Sequence, residues 1–598
     1  MTSTHDEPGG TLDAVEAAAG AGSLFGGLDA DARAAIEAEA QRTRLQSGDT
    51  LFREGEAADA LYVVIKGRLR VLVGGPAGGM LVAEIGRGEV VGEMALLTGA
   101  PRSATVIAVR DSQLVRLSQA AFERIASRCP AAMLLVTRRL VQRLQRTTHT
   151  PRAKASLATI AVTSLDPAID ATHLAGALVA ALAPAGSARL VTRAFAATAV
   201  GGPVGDGRDS RLTEWLDGLE REVRYVVYAG DTQDSAWTDR CARQADCLLF
   251  VAPGGTVPGP AVAGIVQRSA RLPAARELVL LHPAPHDPPR QTARWLDATG
   301  ARAHYHVRDG VAADIERLAR MLSGRAVGLA LGGGGARGFA HIGVIQALHQ
   351  AGVPIDAIGG TSMGAVLAAQ YAGGADAAAM RALNRDHWVR RNPLRDKTLP
   401  VVALLTGRRL DGMIDAMYGD TQIEDLWTTF FCVSADLTRA EMRVHSRGPL
   451  GRAVRASMSL PGMAIPVHDA GSMLVDGGLM NNVPSDIMRG LCGRVVAVDV
   501  SPARDLAIET PYPAAASGWR LLWGRKATKL PGIGAILMRA VMLGSARHQA
   551  AIASDVDLYL HPPVDRFGMF EWDALDRLAD AGRDCAREAL ASGAAALT

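Results

Sequence analysis

The chain has 598 residues, too many for a single hydrophobic core, so several domains are expected. Its 64 Lys and Arg nearly balance 61 Asp and Glu, and a formal charge of +3 creates no field of the kind that gathers nucleic acid. Six scattered cysteines, with no CxxC pair and no His at ligand spacing, predict a reducing, cytoplasmic setting and no metal site. The opening MTSTHDEPGG is polar and acidic, which predicts neither a signal nor a transit peptide. No run of 18 apolar residues occurs, so any membrane contact is expected to be peripheral, at the inner face of a membrane.

Residues 1–23 are rich in Gly and Ala and are expected to form a mobile tail. From 24 to 128, short Val, Leu and Ile runs are punctuated at Gly55, Gly67, Gly86, Gly88, Gly92 and Gly99, the rhythm of a compact β-roll. Within it, VGEMALLTGAPRSATV at 91–106 places Glu93 and Arg102 on a short helical segment that opens at Gly92 and turns at Pro101. This stretch resembles the phosphate-binding cassette of cyclic nucleotide-binding domains. LFREGEAADALYVVIKGRLRV at 51–71 fits that family's early strands, and LFGGLDADARAAIEA at 24–38 its leading helix. The resemblance implies a site made of Gly92, Glu93, Arg102, Ser103 and Ala104 that takes cyclic AMP or cyclic GMP. Glu93 would accept from a ribose hydroxyl, and Arg102 would pair with the cyclic phosphate in a charge-assisted fork. A helical run, AAMLLVTRRLVQRLQRTTH, follows at 131–149 and closes a domain of residues 24–150. No helix pair bearing DNA-reading residues comes after it, so no nucleic-acid partner is expected.

Between 155 and 322, strand-like runs (LATIAV, VRYVVYAG, CLLFVAP, ELVLLHP) alternate with helical stretches, which predicts a middle α/β domain. No catalytic motif stands out in it, and its expected role is a scaffold.

The alternation resumes at 326, where LALGGGGARGFAHIGVIQAL at 329–348 sets a glycine run between a strand and a helix. Bare N–H groups in front of a helix suit an anion. A P-loop is excluded, because Gly338 is followed by Phe339 and Ala340 rather than by Lys and Ser or Thr. Gly333, Gly335 and Gly338 match GxGxxG, but the next strand lacks the acid that would hold a dinucleotide ribose. That strand ends instead in GTSMG, a turn that pushes Ser362 out over the sheet edge between Gly360 and Gly364. One βαβ unit then puts the glycine loop and the serine at the same edge, so the anion expected is the oxyanion of an acyl intermediate. Further on, MLVDGGLMNNVP at 473–484 ends an apolar strand at Asp476, followed by Gly477 and Gly478.

The glycine loop, GTSMG and DGG together resemble the three signatures of patatin-like phospholipases, and VRASMSLPGMAIPV at 454–467 resembles the helix and Pro turn between the last two. The resemblance implies an α/β hydrolase domain over 326–505 in which a Ser–Asp dyad replaces the usual triad. Ser362 would be the nucleophile and Asp476 the base, with an oxyanion hole in Gly333, Gly334, Gly335, Ala336, Arg337 and Gly338. The N–H groups around Gly334, Gly335 and Ala336 would be the donors, and Arg337 would help to hold the loop. His341, His548 and His561 are the rival bases, and none has a supporting motif.

The order of domains, with WTDRCARQADCLLFVAP at 237–253 and ELVLLHP at 277–283 in the middle, resembles the neuropathy target esterase branch, whose members are lysophospholipases. It implies a phospholipid or lysophospholipid substrate and no cofactor for catalysis, with a cyclic nucleotide as regulatory ligand. Larger members carry a membrane span and more than one nucleotide domain, so fixed anchoring is not carried over. The rival reading is a nucleotide-responsive binding protein on an inactive hydrolase fold. In the extension at 506–598, GWRLLWGRKATKLPGIGAILMRAVML at 518–543 gathers Trp519 and Trp523 with Arg520, Arg525, Lys526 and Lys529. That stretch is either a lipid-facing helix or one packing its aromatic stripe on the domain.

Overall fold

A computed structural model describes residues 40–74, 80–128, 158–204, 210–231, 236–284, 287–502 and 554–593. The expected tail, the helices at 24–38 and 131–149, the Trp-rich stretch at 518–543 and His548 lie outside the described residues. The chain divides into two compact units. One holds residues up to 253 with 257–280 and 295–303, and the other holds 254–256, 281–294 and 304 onward.

The first unit opens with a roll of two four-stranded antiparallel sheets. Strands β1 (Gln41–Leu45), β8 (Ser112–Ser118), β3 (Ala60–Lys66) and β6 (Val90–Val91) form one. Strands β2 (Thr50–Phe52), β7 (Thr105–Ala108), β4 (Leu69–Val73) and β5 (Met80–Ile85) form the other. Their inward residues, among them Val64, Leu69, Ile85, Val106 and Leu114, make one apolar core. The middle layer is a parallel sheet in which β9 (Thr159–Ser164) lies between β11 (Tyr225–Ala229) and β12 (Cys247–Pro253), with β10 (Ala188–Val191) beyond β11. These strands are apolar along nearly their whole length because helices cover both faces. Roll and layer are joined by charge. Arg110, in the turn after β7, is buried and bonds Glu220 and, at 2.9 Å, Asp246, which also pairs with Arg68 at 3.2 Å.

In the second unit, β15 (Val327–Leu331) and β16 (Ala357–Gly360) pair in parallel, and β21 (Arg494–Val498) and β17 (Thr429–Asp436) flank them, also in parallel. Antiparallel β20 (Ser472–Asp476) lies against β17. The sheet does not end at 505, where the sequence places a boundary. Strand β22 (Leu558–Leu560) adds in parallel to β21, and helix Leu575–Gly593 packs on helix Ala340–Gln350. Residues 558–593 therefore complete the core of the second unit rather than forming an extension. The alternation of charged and small residues along Leu575–Gly593 hides this in the sequence, since only the partner helix shows which face is buried.

Those two helices cross closely because each offers a glycine to the other. A Cβ on Gly343 would overlap the Ala579 carbonyl, and one on Gly582 would overlap the carbonyl of Ala340. Gly343→Ala should therefore part the helices and destabilise this unit by about 1–3 kcal/mol. A denaturant midpoint equal to that of the parent would refute this packing.

Candidate active site

Leu331 and Gly360 are register partners at the carboxyl ends of β15 and β16, so the glycine loop and the serine turn leave one edge of the sheet together. Ser362 sits at φ 55°, ψ −123°, a conformation a side-chain-bearing residue holds only when its surroundings force it. The surroundings do so. A Cβ at Gly360 would lie 2.6 Å from the Gly364 carbonyl carbon, and one at Gly364 would overlap the Leu331 carbonyl oxygen. Two hydrogen bonds hold the turn from outside. The Ser362 N–H donates to Ser457 Oγ at 3.0 Å, and the Thr361 hydroxyl donates to the Asn481 carbonyl at 2.9 Å. Helix Met363–Ala372 starts directly after the serine.

Asp476 ends β20 opposite Ser434 of β17 and is almost wholly buried. Its N–H donates to the Ser459 carbonyl at 2.9 Å, and its Oδ1 accepts from the Gly478 N–H at 2.8 Å. Gly477 is needed because a Cβ there would overlap the Val433 carbonyl. Burial raises the Asp476 carboxyl to about 6, against the opposing pull of the Ser362 hydroxyl and the Gly478 N–H. The Ser362 hydroxyl is thus near enough to favour the carboxylate, yet no bond of full geometry closes between them. Oδ2 has no hydrogen-bond partner among the described residues.

Over these two residues lies the glycine loop. A Cβ at Gly333 would come 3.0 Å from Ser362 Cβ and 2.8 Å from Asn482 Oδ1. Asn482 grips Gly333 twice: its side-chain amide donates to the Gly333 carbonyl at 3.2 Å, and its own carbonyl accepts the Gly333 N–H at 3.3 Å. Gly335 needs its positive φ of 60° and has no room for a Cβ beside the Met569 carbonyl. A Cβ at Gly338 would meet the Met363 side chain. Arg337 donates to the Phe567 carbonyl at 2.9 Å, which ties the loop to the 565–569 segment.

One expected donor is corrected. The Ala336 N–H already donates to the Met569 carbonyl at 2.8 Å, because the segment that completes the core folds back onto the loop. The N–H groups of Gly334, Gly335 and Met363 donate to no protein acceptor among the described residues. Met363, the residue after the serine, was not singled out from sequence, although GTSMG contains the signal. Ser457 and Asn482 were also missed. They lie inside quoted stretches, but which atom they would hold depends on the fold.

His341 is fully buried, and burial pushes its imidazole down to about 4. Its Nε2 lies 2.8 Å from the Gly332 carbonyl, so it carries the proton there and donates to the loop. No hydrogen bond joins His341 or His561 to Ser362.

In the roll, helix Glu93–Thr98 starts at Gly92, whose φ is 86°. Glu93 and Ala104 are buried and Ser103 is exposed. Arg102 is folded inward over the Phe52 ring, 4.1 Å from its centre. It donates to the carbonyls of Gly92 at 3.0 Å and Ala60 at 2.7 Å, and pairs with Asp59 at 3.3 Å. Its Nε is buried without an acceptor.

Set against known proteins, residues 329–489 match the family described as patatin-like phospholipase. The matched stretch is the one whose serine turn and glycine loop meet at one sheet edge. Residues 42–129 match the cyclic nucleotide-binding domain, and residues 156–319 the Neuropathy Target Esterase family P-loop like domain. The chain is 33% identical to Patatin-like phospholipase domain-containing protein 6 of Homo sapiens, over 90% of its own length and 44% of that protein's. It is 31% identical to Neuropathy target esterase sws of Drosophila melanogaster, covering 42% of it, and to Lysophospholipase nte1 of Aspergillus fumigatus, covering 41%. The chain thus spans less than half the length of these relatives. The three matches follow one another along the chain in the order nucleotide-binding domain, P-loop like domain, patatin-like domain. In the P-loop like domain, the turn after β9 reads SLDPAID, and the Asp170 carboxylate itself caps the next helix at the Thr172 N–H. That turn lacks the glycines and lysine that cradle phosphate in a P-loop.

The second unit should be acid-labile. Burial pushes His304, His341 and His445 down to about 4, and His306 well below its ordinary value. Below an unfolded pKa of about 6.5 the unfolded chain binds more protons at these sites, so stability falls as pH drops from there toward 4. Asp476 acts in the opposite sense, since its raised pKa favours the folded state as pH falls through about 6. Four imidazoles outweigh one carboxyl, so the melting temperature should be lower at about pH 5 than at about pH 7. An unchanged or higher value at the lower pH would contradict the buried neutral histidines.

Proposed function

We propose that the chain is a serine esterase that hydrolyses the carboxylic ester bonds of phospholipid or lysophospholipid, with Ser362 as nucleophile and Asp476 as base. The reading rests above all on one observation: a serine held in a strained turn faces a buried carboxyl with one unpartnered oxygen and a raised pKa. Ser362 Oγ attacks the ester carbonyl carbon while its proton passes to Asp476 Oδ2. The oxyanion is met by N–H groups of Gly334, Gly335 and Met363. Collapse breaks the bond to the alcohol, which takes the proton from Asp476. Water then attacks the acyl-enzyme carbonyl and gives a proton to Asp476, and collapse breaks the bond to Ser362 Oγ, which takes that proton back from Asp476 as the fatty acid leaves. Only the chain's own groups and water enter these steps.

His341 has a positioning role here, its Nε2–H holding the Gly332 carbonyl at the root of the loop. The lipid substrate requires a peripheral meeting with a membrane surface, at the cytoplasmic face on this reading. Among the described residues no helix is long and apolar enough to cross a membrane.

The roll is proposed to take a cyclic purine nucleotide, with Glu93 at the ribose and Arg102 at the phosphate, and to modulate hydrolysis through the middle domain. Arg102 is already engaged by two backbone carbonyls and Asp59, so a phosphate would reach it at Nε or by displacing them.

Ser362→Ala and Asp476→Asn should each lower ester hydrolysis by several orders of magnitude. His341→Gln or His561→Gln should cost much less, and either one matching the serine loss would overturn the dyad. The base works as carboxylate, so kcat/KM should rise with pH through about 6 and then level off. A rate independent of pH across that range would assign the base elsewhere. For the roll, cyclic AMP or cyclic GMP at about 100 times its Kd should stabilise the folded domain by about 2.7 kcal/mol, seen as a shift in melting. Arg102→Ala should remove that shift, and no shift with either nucleotide in the parent would rule out binding.

A further inference from the structure

Segment 397–405 of the second unit doubles back on itself through an antiparallel bridge between Lys397 and Leu405. The Thr398 N–H donates to the Leu404 carbonyl at 2.9 Å, and the Thr406 hydroxyl to the Asp396 carboxylate at 2.6 Å. Its tip reads LPVV, and the side chains there face solvent. Leu399 is 80% exposed, Val401 82% and Val402 67%. Three adjoining aliphatic residues at this exposure, on a turn closed by its own hydrogen bonds, are unlike the scattered apolar residues of an ordinary surface.

Cations flank the hairpin on both sides in the sequence. Arg390, Arg395, Lys397, Arg408 and Arg409 are all exposed, and none has a carboxylate partner among the described residues. The acids nearest in sequence are turned to other groups, Asp411 to Arg455 at 2.6 Å among them. Asp386 pairs with Arg391 at 2.7 Å, and Asp396 takes the Thr406 hydroxyl and the Arg409 N–H.

The hairpin is also fastened to the catalytic edge. The N–H groups of Leu404 and Leu405 donate to the carbonyls of Gly462 and Met463 at 2.9 and 3.1 Å. That turn follows Ser459, whose carbonyl holds the Asp476 N–H, and Ser457, whose hydroxyl holds the Ser362 N–H. Ile465, just beyond, is 41% exposed.

We propose that hairpin 397–405 is a membrane-docking element that seats the catalytic unit on an anionic phospholipid surface. It rests on the lipid esterase reading for its purpose, and on exposure and charge for its partner. Aliphatic side chains of this size enter the boundary between headgroups and acyl chains, while Arg and Lys around them pair with lipid phosphate. A protein partner fits less well, because interface cores are depleted of charge and favour aromatic anchors, which this tip lacks.

The test uses the full chain carrying Ser362→Ala, so that binding is read without turnover, sedimented with phosphatidylcholine vesicles made with and without phosphatidylserine. Leu399→Ser, Val401→Ser and Val402→Ser together should lower partition by about tenfold or more at an unchanged melting temperature. Separately, Arg395→Gln, Lys397→Gln, Arg408→Gln and Arg409→Gln together should lower partition onto the phosphatidylserine vesicles alone and flatten its salt dependence. Parent-like partition by the serine variant, or no partition by the parent, overturns the proposal. So does loss of a concentration-dependent dimer in sedimentation of the serine variant, which would give the face to a second copy of the chain. With Ser362 restored, the same triple change should leave hydrolysis of a soluble short-chain ester as it was. Absence of all ester hydrolysis beside a serine-sensitive partition would defeat the esterase reading and leave the docking element standing.

Discussion

The parallel pairing of β15 with β16 is the constraint from which the candidate site follows. Because Leu331 and Gly360 are partners at the ends of neighbouring strands, the chain must turn twice at one sheet edge within a few ångströms. Two turns in so little space leave no room for side chains between them. The glycines at 333, 360 and 364 are therefore set by backbone crowding as much as by chemistry, and each would otherwise strike the other turn or the strand beneath it. The crowding also holds Ser362 in a backbone region that costs on the order of 1–3 kcal/mol. Released, the serine would relax away from the edge where its hydroxyl is presented.

Electrostatics at the site depend on what the fold withholds. Asp476 has one backbone donor on Oδ1 and none on Oδ2, in a place closed to solvent, so its carboxyl titrates near neutrality instead of near 4. A second backbone donor, or an arginine alongside, would have held the proton off and made a weaker base. Neutral His341 fits the same logic. A charged imidazole there would be a cation buried away from water, whereas the neutral ring donates a single N–H that anchors the Gly332 carbonyl.

In the first unit the contrast is with Arg110. There a buried guanidinium is answered by Glu220 and Asp246, so that charge joins the roll to the middle layer instead of waiting for a ligand. Removing one partner would leave buried charge uncompensated, a loss usually of about 3–5 kcal/mol. Arg102 lies between these cases, since two carbonyls and Asp59 engage its terminal nitrogens while Nε remains unanswered.

What can be read from the residues alone follows from local backbone rules. Glycine-bearing turns at strand ends, the GTSMG elbow, DGG after an apolar strand and the cassette at 91–106 all announce themselves by spacing, because each is a turn that few residue types can make. The series of roll, α/β layer and patatin-like domain is legible for the same reason. Partners distant in sequence are not. Ser457 is 95 residues from the serine whose N–H it accepts, Asn482 is 149 from the glycine it grips, and Asp246 is 136 from Arg110. The Ala336 N–H looks free until residue 569 folds onto it, and residues 558–593 look like an appendage until β22 joins β21. Spacing along a chain encodes turns, and only the packed sheet decides which donor is left open, which carboxyl is dry, and which apolar tip still faces water.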